Sequence, residues 1–211
     1  MATYVVGVIS QKGGVGKSTI SRALACEAAK AGLRVKLADL DIQQGTVVNW
    51  NRKRLANSIE PFISVENFKS AQQALSGEVH YDLLILDGPA RTSKATLEIA
   101  QAANLVVQPT GASVDDLEPA ILVFHELVKE KISRDKLVFA LSRIGTDSEE
   151  RDCRSYIEEA GYASLSGYLP ERPAYRHAQN VGFCVTETKY ITLNKKAEEM
   201  IQSLVGRIPC E

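Results

Sequence analysis

The sequence predicts an α/β fold, a doubly wound and mostly parallel sheet flanked by helices. Short apolar runs rich in β-branched residues alternate with longer segments of helical period. The runs are apolar at every position rather than at every second one, the pattern of strands covered on both faces. Residues 4–10 form the first run and enter a glycine cluster. Residues 18–31 follow at helical spacing and stop at Gly32, where glycine takes a left-handed C-terminal cap cheaply. Residues 35–38 read as the second strand. The polar stretch 43–63 has no clear period, and 62–65 is a short strand candidate within and beyond its end. Leu83–Asp87, 105–109 and 138–141 read as strands, separated by helical stretches at 92–103 and 117–131. A further helix at 149–160 meets Gly161 at its cap, and 165–169 is a second weak strand candidate. Residues 170–188, interrupted by Pro170, Pro173 and Gly182, read as a long functional loop before a last helix at 193–205.

The chain has 211 residues, 45% of them hydrophobic and 24% charged, which excludes wholesale disorder and collagen-like repeats. A single core supports roughly 100–200 residues. No repeat, low-complexity tract or long linker divides the sequence, so residues 1–211 read as one domain. Lys and Arg number 25 against 26 Asp and Glu, a formal net charge of −1. That balance excludes DNA binding by bulk positive charge; any such contact needs a local basic patch, which dimerisation can complete. No run approaches the roughly 18 apolar residues of a membrane span. The opening apolar run has no basic residue before it and reads as a strand rather than a secretion signal, so a cytoplasmic protein is expected. Cys26, Cys153, Cys184 and Cys210 are far apart and form no C-x-x-C or Cys/His pair. Free thiols in a reducing compartment are expected, with neither structural zinc nor an iron–sulfur cluster.

One segment carries the chemistry: Ser10-Gln11-Lys12-Gly13-Gly14-Val15-Gly16-Lys17-Ser18-Thr19, after a strand and at the start of a helix. Glycines let backbone N–H groups close around phosphate oxygens, and the helix N-terminus adds a favourable dipole. Lys17 is placed to reach the β- and γ-phosphates of a nucleotide, the Ser18 hydroxyl to ligate Mg²⁺, and Thr19 to approach the α-phosphate. The strict G-x-x-x-x-G-K-[ST] pattern fails at its first glycine, where Gln11 stands. A second lysine, Lys12, lies five residues before Lys17. Two lysines in one loop repel unless both face anionic oxygen, and one solution is that Lys12 serves a nucleotide held by a second subunit.

These residues, Lys12 to Thr19, resemble the deviant Walker A motif of the ParA/MinD class of dimeric ATPases, a P-loop NTPase group. Gln11 is more similar to the partition branch than to the MinD-like branch, which usually has Gly there. The resemblance implies ATP and Mg²⁺ as cofactors, an ATP-dependent homodimer, and Lys12 reaching across it. It further implies non-specific DNA binding in the ATP state and stimulation by a ParB-like or centromere-binding partner. The length resembles the small members without an N-terminal DNA-reading domain. Nucleoid association when ATP-bound follows from the same likeness.

Two carboxylate segments fall where such chemistry needs them. Leu83-Leu84-Ile85-Leu86-Asp87 ends a buried strand in an acid that can hold Mg²⁺ through its water shell. Asp39 and Asp41 close the second strand, and their spacing points them to opposite sides if that strand persists. The resemblance makes Asp41 the residue that orients the attacking water and Asp39 a support of the Mg²⁺ shell. Ile42 stands where the family commonly has Pro, and either Gln43 or Gln44 matches its glutamine. For the base, the resemblance points to Ser142, which stands where the family carries an Asn, with Arg143 beside it, and to Pro170 and Arg172. Serine makes one hydrogen bond where the amide makes two.

DNA candidates are Arg52-Lys53-Arg54, Arg176 and the group Lys189, Lys195 and Lys196. The last helix carries Glu198 and Glu199 among its apolar residues, which suits docking on the core better than lying on a membrane. Three functions stay open: a partition ATPase, a MinD-like membrane-associated positioning ATPase, and a metabolic P-loop kinase or ligase. For the third, His80, His125 and His177 are scattered and join no constellation.

Overall fold

The computed structural model describes residues 3–76, 80–90 and 93–209. Its first half runs β1 (Tyr4–Val8), α1 (Lys17–Lys30), β2 (Val35–Asp39), α2 (Thr46–Ala56), β3 (Ser64–Asn67), α3 (Ala71–Leu75) and β4 (Leu83–Asp87). The second half runs α4 (Ser93–Ala102), β5 (Leu105–Thr110), α5 (Val114–Lys129), β6 (Leu137–Ile144), α6 (Asp147–Glu159), β7 (Ala163–Ser164), β8 (Leu169–Pro170), α7 (Pro173–Asn180) and α8 (Ile191–Val205). The strand order is β3-β2-β4-β1-β5-β6-β7, with β8 beside the end of β6, and the pairings are parallel.

Strand side chains alternate between two cores. Val6, Leu37, Ile85 and Val107 join Leu24 of α1, Trp50 of α2 and Met200 of α8 on one face. Val5, Ala38, Leu86 and Phe139 join Ile99 of α4, Phe124 of α5 and Ile157 of α6 on the other. This is the doubly wound arrangement the apolar runs predict, since a strand buried on both sides has no polar face to show. Gly32 (φ +91°) and Gly161 (φ +80°) follow α1 and α6 in the left-handed conformation, as expected. The helix expected at 92–103 is α4; Thr92 itself and Cys210 lie outside the described residues.

Three expectations are corrected. The polar stretch after Gln43 contains α2, whose inner face is Val47, Trp50, Asn51 and Arg54, too polar to show a hydrophobic period. The segment 170–188 is not all loop: Pro173 opens α7 at the helix N-terminus, where its missing N–H costs nothing. The weak strands shift, with β3 starting at Ser64 beyond the exposed Phe62, and residues 165–168 lying between the two-residue strands β7 and β8, the second of which opens at Leu169.

Arg54 also leaves the predicted DNA-facing cluster. It is fully enclosed, donates to Glu187 (2.7 and 3.0 Å), and reaches the carbonyls of Gly182 (3.1 Å) and Glu60 (2.6 Å). Arg52 and Lys53 stay exposed. The last helix turns Ala197, Met200, Ile201 and Leu204 into the core beside α1. Among the described residues, no helix is long and apolar enough to cross a membrane. Folding brings Cys26 and Cys184 together with Glu187, their ligand atoms within 4.8 Å of one another, although sequence spacing separates them. Arg54 and Lys30 already hold that carboxylate.

Candidate functional site

The glycine loop leaves β1 between β4 and β5, at the C-terminal edge of the sheet where open parallel sheets bind ligands. Gly14 (φ +76°) and Gly16 (φ +109°) take left-handed conformations that other residues rarely adopt. Gly16 is the N-cap of α1 and no side chain caps that helix, so its first amides remain available to an anion. A Cβ on Gly16 would also meet the Ser142 hydroxyl at 2.8 Å. Val15 is buried and anchors the loop, while Lys12, Gly13 and Gly14 are exposed.

Asp87 closes β4 beside this loop. Ser18 donates to one of its oxygens at 2.7 Å and Ser21, one helical turn on, to the other at 2.8 Å. Burial pushes its carboxyl up to about 6, against those bonds and the nearby Arg22 charge. An oxygen-only donor set of one hydroxyl and one carboxylate suits a hard cation such as Mg²⁺. Burial is the main cause of the raised Asp87 pKa, and a divalent cation would supply the counter-charge that this buried acid lacks.

Asp39 lies in register with Asp87 and is fully buried. Its oxygens accept the N–H groups of Val47 (2.9 Å), Val48 (3.3 Å) and Asp41 (3.1 Å). It therefore ties the start of α2 and the intervening turn to the strand end. Because β2 stops at Asp39, Asp41 stands in that turn rather than across a continuing strand. The half-buried Asp41 accepts from Gln44 N–H at 3.2 Å, and Gly45 N–H donates to its carbonyl at 2.7 Å. Ile42, Gln43 and Gln44 are exposed.

The two loop lysines face different partners. The Lys17 amine donates to the Lys12 carbonyl at 3.4 Å, and burial lowers its pKa, opposed by the charges of Asp87 and Asp41. The Lys12 amine is instead bound by the Asp116 carboxylate and by the Asp115 carbonyl (3.3 Å) at the start of α5. Arg143 holds the other Asp116 oxygen at 3.2 Å. Arg143 reaches it from an irregularity in β6, where its φ is +60° and the pairing with β8 shifts; such bulges re-aim a side chain.

Ser142, Arg143, Pro170 and Arg172 line one cleft of about 260 Å³ with Gly14, Gly16 and Thr19. The fold thus gathers all four residues predicted to border the base at the phosphate loop. Reasoning from sequence missed Ser21, whose i, i+3 spacing from Ser18 was the available signal. It also missed Asp116 and Gln179, neither announced by any motif. Gln179 of α7 accepts from Thr19 (3.1 Å) and Arg22 (3.0 Å), and Arg22 also donates to the Thr46 carbonyl (2.7 Å). The histidines stay apart from the site: His125 meets Tyr162 at 2.8 Å, and His80 and His177 are exposed.

Comparison with known proteins identifies the family and the fold. A family model described as the CobQ/CobB/MinD/ParA nucleotide binding domain matches residues 6–182. The maintenance of carboxysome distribution protein A of Gloeobacter kilaueensis is 28% identical over 186 residues, covering 87% of this chain and 84% of that protein. The septum site-determining protein MinD of Pyrococcus horikoshii, complexed with Mg-ADP, superposes with a TM-score of 0.73 at 16% identity, over 96% of this chain and 94% of that one. A plasmid partition protein described as putative, from Borrelia burgdorferi and bound to AMPPNP, gives 0.70 at 16% identity, over 99% and 100%.

Proposed function

Because the chain belongs to the CobQ/CobB/MinD/ParA family of nucleotide-binding domains, we propose that it is a partition-type ATPase that dimerises with ATP. In this reading it binds DNA without sequence preference in the ATP state. With a ParB-like or centromere-binding partner it positions a plasmid, chromosome or other large cargo. The observation that carries the reading is the divergence of the two loop lysines. The Lys17 amine turns back onto the loop, donating to the Lys12 carbonyl at 3.4 Å under the charges of Asp87 and Asp41, while the Lys12 amine is held by Asp116. A lysine on the outer side of the loop, 47% exposed, can serve a neighbour's nucleotide once it leaves Asp116.

The residues divide the work as follows. Amides of Gly13, Gly14, Val15 and Gly16 and the start of α1 cradle the phosphates, with Thr19 at the α-phosphate. Ser18 and Asp87 hold Mg²⁺, which offsets charge on the transferring phosphoryl group. Asp39 adds negative charge behind them and fixes the turn that carries Asp41. Asp41 orients water in line with the γ-phosphoryl group, and Lys17 with the partner's Lys12 steadies the charge that spreads over it. Ser142, Arg143, Pro170 and Arg172 border the base and ribose. Hydrolysis that waits for a second protomer and a partner suits a timer.

Burial of the α8 apolar face beside α1 removes the surface that a membrane-targeting helix would use, which favours partition over the MinD-like reading. DNA affinity measured across a salt titration, with and without ATP, tests the proposal. Binding should require ATP, ignore sequence and fall steeply with salt. ATP-dependent binding to liposomes without DNA binding would favour the MinD-like reading, and turnover requiring a small acceptor would favour a kinase or ligase. Lys12→Gln should abolish ATP-dependent dimers in light scattering; retention of both dimers and hydrolysis would overturn the role given to Lys12.

A further inference from the structure

Arg22 of α1 is 7% exposed, yet it forms no ion pair among the described residues. Interior arginines are normally paired with a carboxylate. This one is held by neutral groups. Its Nη1 donates to the Gln179 side-chain oxygen (3.0 Å) and its Nη2 to the Thr46 carbonyl (2.7 Å), and the guanidinium lies 5.5 Å from the centre of the Trp50 ring. Its Nε is buried with no hydrogen-bond partner among the described residues. The nearby site acids do not close on it, because serines take both oxygens of Asp87 and backbone amides take those of Asp39. A buried cation left this way costs stability, and residues that break a packing rule cluster where they serve function.

We propose that Arg22 is a positioning residue that couples nucleotide in the phosphate loop to the turn carrying Asp41. The Gln179 oxygen that accepts from Arg22 also accepts from the Thr19 hydroxyl at 3.1 Å. That hydroxyl has one proton to give, and a phosphate oxygen beside Thr19 competes for it. Once the proton turns to the phosphate, the Gln179 oxygen serves Arg22 alone. The guanidinium, braced on the Trp50 ring, then fixes the Thr46 carbonyl. Thr46 opens α2 directly after Gly45, whose N–H donates to the Asp41 carbonyl at 2.7 Å. The relay thus runs from the α-phosphate through Thr19, Gln179, Arg22 and Thr46 to the turn. It needs two N–H groups held in one rigid fork, which a lysine does not offer. The proposal rests on the reading of Asp41 as the residue that orients water, and adds what sets its position.

Amide hydrogen exchange over residues 41–48, with and without Mg-ADP, tests the coupling apart from turnover and from the ATP dimer. Mg-ADP should slow exchange there about tenfold in the wild type, the worth of roughly one hydrogen bond. Arg22→Met and Arg22→Lys should both lose that slowing while binding Mg-ADP as the wild type does. Arg22→Lys keeps the charge, so it carries the test if Arg22→Met fails to fold. In steady-state turnover both variants should lower kcat by roughly tenfold or more at an unchanged KM for ATP. No slowing in the wild type, or slowing retained in Arg22→Lys, would overturn the proposal. So would kcat and KM shifting together with the melting temperature, the mark of a merely structural residue. A wild type that binds Mg-ADP but turns over no ATP would sink the ATPase reading instead, and the exchange result would then decide the coupling alone.

Discussion

Asp87 shows how a single residue trades stability for a ligand. In the free chain it is buried with its carboxyl raised from 3.8 to about 6, so the unfolded chain ionises it more readily than the folded one. Folded stability from this group is therefore complete below pH 3.8 and is lost as pH rises to about 6, a difference on the order of 3 kcal/mol. Asp87→Asn should melt higher than the wild type without nucleotide, and the gap should open over that pH window. The same variant should lose the upward melting shift that Mg-ATP gives the wild type. Calorimetric scans at several pH values check both; a gap independent of pH would remove the electrostatic cause.

At the scale of elements, the buried cation of α2 fastens this helix to the segment after α7. Arg54 is wholly enclosed and its partner Glu187 nearly so, and leaving one such charge without the other typically costs about 3–5 kcal/mol. Arg54→Met should lower the melting temperature by roughly 10 °C, at the 2–4 °C per kcal/mol usual for this chain length. It should leave the salt dependence of DNA affinity as it was, because the guanidinium does not reach solvent. A reduced salt slope in a fully folded Arg54→Met would return the residue to the DNA surface. The sequence, three basic residues in a row, could not distinguish a solvated cluster from two exposed cations and an interior one. Which residue turned inward depended on Glu187, more than a hundred positions away.

For the whole molecule, the Asp116 contact links the phosphate loop to assembly. Each protomer must release Lys12 from Asp116 before that amine can reach a partner's nucleotide. Partly exposed ion pairs contribute about 0.5–1 kcal/mol each, and a dimer breaks two. Asp116→Asn should strengthen ATP-dependent dimerisation by roughly tenfold, read as the protein concentration at half-assembly in light scattering. An unchanged half-point would show that the contact does not restrain Lys12.

The sequence by itself determined the layered α/β architecture and the phosphate loop. Strands buried on both faces must be apolar throughout, and a backbone that wraps an anion must be glycine-rich; both demands are local and leave a local record. The strand-end acids Asp39 and Asp87 were legible for the same reason. The tertiary structure alone decided what each charged group faces: Lys12 on Asp116, Arg54 on Glu187, Asp39 on the amides of α2. It also gathered Ser142, Pro170 and Arg172 beside Gly16, and Cys26 beside Cys184. Such pairings set burial and counter-charge, and those depend on distances that separation along the chain does not encode.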